Sequence, residues 1–170
     1  MLLSVVAFLA GCATPAAVEQ MVASMPINQT NPALKNSIGV ADVTGGRETN
    51  PMWTSQVDSN SFRRALELSL ENAGMFSKIV SGSKYQLTAD LTRLDQPALG
   101  LDFTVTSNVR YSLVENQTRK EVYGRVIQIG YTASFSDAFI GAQRLKLANE
   151  GAVKANIQAF INDLIALKLP

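Results

Sequence analysis

The 170-residue chain holds one cysteine and no histidine, so few residues in it are able to do chemistry. Cys12 closes the run Leu9-Ala10-Gly11-Cys12, directly after the apolar stretch 2–10. Its thiol is a potential nucleophile, metal ligand or acceptor of a covalent group; the plainer alternative is a core cysteine that follows an apolar strand. Histidine is the commonest general base near neutral pH and the commonest metal ligand, and neither role has a candidate. Asp42, Asp90, Asp95 and Asp102 are the candidate carboxylates. Paired acid–base work needs a set separation, and no spacing here requires two of them to meet, so they read as strand-end, outward-facing acids. Serines are plentiful, yet there is no Gly-x-Ser-x-Gly elbow and no histidine to activate one. Thr44-Gly45-Gly46-Arg47 lacks the glycine spacing of a dinucleotide or phosphate loop, and its glycines are expected to permit a turn. The expectation is a protein that is not an enzyme, with no catalytic residues, metal or cofactor.

An apolar segment, two small residues and a cysteine resemble the bacterial lipobox, with Leu9, Ala10 and Gly11 as the positions before the modified residue. The resemblance implies a lipoprotein signal peptide over 1–11, cleavage before Cys12, a diacylglycerol thioether on its sulfur and an acyl chain such as palmitate on its amino group. One chain anchors only marginally, at about 0.8 kcal/mol per buried methylene, whereas three make attachment effectively permanent. Only Met1 precedes the apolar run, so the basic start that signal peptides carry is expected upstream. The run is too short for a transmembrane helix, which needs about 20 apolar residues. Ala13, rather than aspartate, follows the cysteine. By the sorting pattern of such lipoproteins, that implies the outer membrane, facing the periplasm. With Cys12 acylated, no thiol remains for catalysis, zinc or a disulfide.

Residues 12–36 read as the lipidated cysteine followed by a flexible tether. Pro15, Pro26 and Pro32 interrupt regular structure, and Gln20, Asn28, Gln29, Thr30 and Asn31 keep the stretch polar. As a coil, 13–36 would span roughly 25–30 Å. Residues 37–170 are expected to form a single globular periplasmic domain. Hydrophobic residues make up 46% of the chain, which suits a globular fold, and 15 basic residues balance 14 acidic ones. That balance offers no electrostatic reason to expect a nucleic-acid partner.

Within the domain, Ile38, Val40 and Val43 mark a first strand. Phe62, Ala65, Leu66, Ser69, Leu70 and Ala73 recur at helical spacing; Asp58, Ser59, Asn60 or Ser61 can cap this helix and Gly74 can end it. Three alternating runs follow, led by Tyr85-Leu87-Ala89-Leu91, Phe103-Val105-Val109-Tyr111-Leu113 and Tyr123-Ile127-Ile129-Tyr131-Phe135, with a polar hairpin turn at 115–120. A long helix over about 142–167 closes the chain, with Val153, Ile157, Phe160, Ile161 and Leu164 as its apolar stripe. The expected fold is α+β, a two-layer sandwich of order β-α-β-β-β-α, with a mainly antiparallel four-stranded sheet and both helices on one face.

The loop 45–56 is long for a compact domain, and such loops are often functional. It carries Arg47, Met52 and Trp53, the only tryptophan. These three form the candidate partner-binding loop, since Trp and Arg are enriched at binding hot spots; the alternative is that Trp53 folds back over the core. A second apolar corner, 137–141, contains Phe139 and Ile140, for which packing is the expected role. With the lipobox in front, the element order resembles that of small envelope lipoproteins. It is similar to the uncharacterised YajG-type lipoproteins, the lipopolysaccharide-assembly lipoproteins and the auxiliary lipoproteins of lipid-transport ABC systems. The stretch Ala148-Asn149-Glu150-Gly151-Ala152-Val153 resembles the terminal helix of the YajG-type group. The function implied is a non-enzymatic, lipid-anchored accessory or scaffold of the cell envelope, bound to the membrane through Cys12 and to an envelope protein or lipid. The alternative is an accessory to lipid or lipopolysaccharide transport.

Overall fold

A computed structural model describes residues 12–24, 30–52 and 54–169. The elements are α1 (Val18–Met21), β1 (Ile38–Thr44), α2 (Ser59–Asn72), β2 (Tyr85–Asp95), β3 (Phe103–Glu115), β4 (Glu121–Ala133) and α3 (Gly141–Ala166). The sheet order is β1-β2-β3-β4. β2, β3 and β4 form an antiparallel meander, but β1 runs parallel to β2, with Ile38 opposite Tyr85 and Thr44 opposite Asp90. The sheet is therefore mixed, and the short α1 adds an element ahead of the expected order. Helix α2 explains the parallel pair. It carries the chain back along the sheet between β1 and β2, so the second strand starts from the same end as the first.

Helix α2 has local start and stop signals. Asp58 caps α2, its carboxylate accepting from the Ser61 amide at 2.8 Å and the Ser61 hydroxyl at 2.6 Å, a contribution of about 1 kcal/mol. Gly74, at φ +68°, ends that helix in the left-handed region. Helix α2 buries Phe62, Ala65, Leu66 and Leu70; α3 buries Leu145, Ala148, Ala152, Val153, Ile157, Phe160, Ile161 and Leu164. The α2 side chains and Val153, Ile157, Phe160, Ile161 and Leu164 of α3 meet Ile38, Val40, Leu87, Val109, Tyr111 and Leu113 in the main core. Leu145, Ala148 and Ala152 pack with Val105 and Ala133 in a smaller second cluster. The Tyr111 and Phe160 rings stack in the main core, 4.1 Å apart and parallel to within 2°.

Residues 13–24 and 30–36 do not behave as the expected tether. Ala13, Ala16, Met21, Ala23 and Leu34 are buried. The Ala23 amide donates to the Ser69 hydroxyl on α2, and Asn31 donates to the Leu164 and Leu167 carbonyls at the end of α3. Met21 and Leu34 enter the core beside the small Ala16 and Ala23, but they are too widely spaced to form a helix or strand pattern in the sequence, and the prolines leave the chain extended rather than free. β4 also departs from its expected pattern. It ends at Ala133, which places Phe135 in the following turn, and Tyr131 is partly exposed because β4 is the outer strand.

Candidate functional site

The topology gathers three loops at one end of the domain. β1 and β2 both finish there, and Phe103 at the start of β3 pairs with Ala133 at the end of β4. The loops 45–58, 96–102 and 134–140 therefore share that end, together with the first turns of α2 and α3. The N-terminal segment enters there too. The Ala13 amide donates to the Pro51 carbonyl at 2.9 Å, the Ser55 hydroxyl to the Thr14 carbonyl at 2.8 Å, and the Ala16 amide to the Gln56 carbonyl at 3.3 Å. Cys12 is exposed one residue ahead of these bonds. Leu9, Ala10 and Gly11 lie outside the described residues.

The loop 45–56 is long but well held. Gly45 turns the chain at φ +82°, where a Cβ would lie 2.3 Å from the Leu91 carbonyl. Asn50 and Thr54 pair across a tight turn, and Thr49 and Gln56 exchange hydrogen bonds. The Ser55 carbonyl accepts from the side-chain amides of Gln96 and Asn149, both at 2.9 Å, and the Gln96 amide also donates to Asn149 Oδ1. Arg47 is exposed and lines a polar cavity of about 300 Å³ with Gln56, Arg93, Asp95 and Gln96. Met52 projects from the turn, 83% exposed. Trp53 lies outside the described residues.

Asn149 and Glu150 on α3 are the site residues that sequence reasoning missed as such. Asn149 holds the loop, and Glu150 Oε1 accepts from the Ala17 amide at 2.7 Å. Together they pin the segment that follows Cys12 and the loop it lies against. The signal was present: these polar residues sit between Ala148 and Ala152 on the apolar side of α3, and a buried polar group must find a partner. Burial pushes the Glu150 carboxyl up from its ordinary 4.5, while the Ala17 amide and the Lys146 ammonium at 3.8 Å pull the other way. The folded state then binds the proton more tightly than the unfolded state, so stability falls as pH rises from 4.5 through the raised value. Glu150→Gln keeps an acceptor for Ala17 and removes the charge. Denaturant unfolding of both proteins is expected to show the variant gaining relative stability from pH 4 to pH 7; a difference that stays flat with pH would contradict this.

The next residue, Gly151, makes a second feature. A Cβ there would fall 2.2 Å from the Tyr131 ring, so only glycine lets that ring lie on α3. Beside it runs an open groove of about 640 Å³ between β4 and α3, lined by Tyr131, Ala133, Leu147 and Ala155, with Glu150, Lys154 and Asp137 at its margins.

The four candidate carboxylates do not converge. Asp42 faces Arg63 at 3.8 Å, Asp90 accepts from the Thr44 hydroxyl, Asp95 pairs with Arg93, and Asp102 accepts from the Phe135 amide at 2.9 Å. Among the described residues, no group of three or more acidic or cysteine side chains is placed to hold a metal ion, and no helix is long and apolar enough to cross a membrane. The corner 137–141 departs from its expected packing role, because Phe139 and Ile140 are exposed.

These features define a small α+β domain that is entered directly from an exposed cysteine. No protein-family model matches the chain, and no curated protein does. Solved structures share the fold. A DUF330-family protein from Xanthomonas campestris is 14% identical, with a TM-score of 0.58 over 81% of this chain and 90% of its own. A minor lipoprotein from Acinetobacter baumannii is 10% identical, with a TM-score of 0.52 over 79% and 94%. The PelC dodecamer from Paraburkholderia phytofirmans is 13% identical, with a TM-score of 0.52 over 83% and 95%.

Proposed function

We propose that this protein is a non-enzymatic lipoprotein of the bacterial envelope, acylated on Cys12 after removal of residues 1–11. In this reading it is held on the outer membrane facing the periplasm and acts there by binding, as an accessory or scaffold. The observation that carries the reading is the position of Cys12, exposed and at the point where the chain enters the fold. The lipobox pattern before it and the lipoprotein among the structures of this fold support it. Dispersal of Asp42, Asp90, Asp95 and Asp102, each with its own partner, supports a role other than acid–base catalysis. For the binding role, the support is β4, a 13-residue edge strand along which Ile127 and Ala133 alone are buried. An edge of unpaired backbone groups is a template for another chain, and a protein of this fold assembles as a dodecamer.

A second reading, an accessory to lipid or lipopolysaccharide transport, as the resemblance to auxiliary and lipopolysaccharide-assembly lipoproteins implies, is favoured by the partly apolar groove beside Tyr131. The filled core between sheet and helices counts against a lipid held inside the sandwich.

Metabolic labelling with a palmitate analogue is expected to mark the wild-type protein and not Cys12→Ser, and the mature N-terminal peptide is expected to begin at Cys12 with its acyl chains attached. An unlabelled wild-type chain that retains residues 1–11 would sink the anchoring. Affinity purification of the acylated protein from membranes, with identification of the proteins and lipids retained, separates the two binding readings.

A further inference from the structure

We infer that the loop end around Cys12 is itself a membrane-contacting face, on which Met52, Leu99, Leu101 and Phe139 enter the interface of the leaflet that holds the Cys12 acyl chains. The inference rests on the acylation of Cys12 proposed above and adds the orientation of the domain. It starts from reach. A tether over 13–36 would have held the domain roughly 25–30 Å from the anchor, but the chain is tied down from Ala13 onward. One residue of chain advances the backbone by only about 3.8 Å, so an anchored Cys12 brings Pro51 and its neighbours to the lipid surface.

That end has the surface such a position requires. Leu99 is 90% exposed, Met52 83%, Phe139 77% and Leu101 75%. Single exposed apolar residues need no explanation, but a group of them does. These four come from three different loops, which the fold places together: Thr54, Gln96–Ala98 and Gly141–Ala142 border one cavity. The apolar residues are presented by ordered turns. Asp102 accepts from the Phe135 amide, Asp137 accepts from the Ser134 amide and hydroxyl, and the Phe135 ring meets Phe139 edge-on at 5.3 Å. Beneath them the buried Arg144 guanidinium lies 4.7 Å over the Phe103 ring and 5.3 Å over Phe135. Across the loops 45–58, 96–102 and 134–140 the one basic residue is Arg47, against the acidic Glu48, Asp58, Asp102 and Asp137, so the face depends on apolar insertion rather than on attraction to anionic headgroups. The opposite end carries the hairpin tip with Arg119 and Lys120, and its exposed pair Ile79 and Val80 adjoins Lys78.

The chain supplies its own test. With Cys12 acylated, a cysteine introduced elsewhere is a unique thiol. The full-length acylated protein is prepared as Leu99→Cys, Leu101→Cys, Phe139→Cys and, at the far end, Arg119→Cys. Each is labelled with an environment-sensitive fluorophore and reconstituted in phosphatidylethanolamine–phosphatidylglycerol vesicles with or without nitroxide-bearing lipid. Blue-shifted emission and strong quenching by shallow nitroxide lipid are expected at 99, 101 and 139, with neither at 119. Water-like emission at all four positions, on protein whose mass shows acylated Cys12, would overturn the orientation and leave the anchoring intact. A blue shift without lipid quenching would place the loops against a second copy of the chain and overturn it as well. A Cys12 peptide with no acyl chains would overturn the anchoring, and this inference with it.

Discussion

Replacing Phe160 by alanine is expected to destabilise the fold by about 4 kcal/mol, within the range for emptying a fully buried aromatic site. Phe160 is completely buried, its ring stacks on Tyr111 at 4.1 Å, and it also meets Tyr123 at 5.6 Å in a tilted contact. It therefore joins α3 to both β3 and β4. Domains of this kind are stable by only about 5–15 kcal/mol, so the loss is a large share of the total. Phe160→Leu separates the two parts of the effect. It refills most of the volume but forfeits the stack, and the expected loss is about 1–1.5 kcal/mol. Urea unfolding at constant pH measures both. A Phe160→Ala midpoint close to that of wild type would mean that α3 is not the brace of the sheet described here.

The second large effect is expected at Asn156, the buried amide on α3 that faces β3 and β4. Its Nδ2 donates to the Ser107 and Ile127 carbonyls at 3.2 and 2.9 Å and to the Ser107 hydroxyl at 3.1 Å. Its Oδ1 accepts from the Tyr111 hydroxyl at 3.0 Å. Burial pushes the Tyr111 phenol well above its ordinary value, which keeps it a neutral donor near neutral pH. Asn156→Ala strands that hydroxyl and two carbonyls away from water, and a loss of about 3 kcal/mol is expected. Adding Tyr111→Phe removes one stranded group, so the double variant is expected to lose less than the two single losses summed, by about 1 kcal/mol. Strict additivity in the same unfolding experiment would show that the two side chains are not coupled.

Both predictions concern residues that periodicity placed only in part. Phe160 belonged to the apolar stripe of the last helix, and its burial follows from spacing alone. Asn156 did not stand out, because an asparagine within an apolar stripe is easily passed over as a solvent-facing position. Seen with Asn149, seven residues earlier, it becomes part of a pattern: polar residues repeat on the buried side of α3, and each finds partners in the sheet or the loop. Helix α2 and its glycine stop were legible, as was the hairpin at 115–120, because those signals are local. Which of Asp58, Ser59, Asn60 and Ser61 caps the helix was settled by the fold in favour of Asp58. The direction of β1 was not. Alternation says which face of a strand is covered, but a parallel and an antiparallel partner cover it equally well. The exposure of Phe139 and Ile140 was also hidden, since an apolar residue in a turn reads as core until its neighbours are placed.

By itself, the sequence determined which residues could do chemistry and which could not. It holds one cysteine in a linear pattern suited to covalent acylation, and it offers no histidine, no nucleophile elbow and no phosphate loop. Such patterns are recognised along an extended chain, so no fold is needed to read them. The tertiary structure decided where that cysteine stands. Hydrogen bonds from Ala13, Ser55, Asn149 and Ala17 to groups distant in the chain turn an expected tether into a seam of the domain. They bring the loop 45–56 against the residues that follow Cys12, and contacts between such distant residues depend on packing rather than on any local preference of the chain.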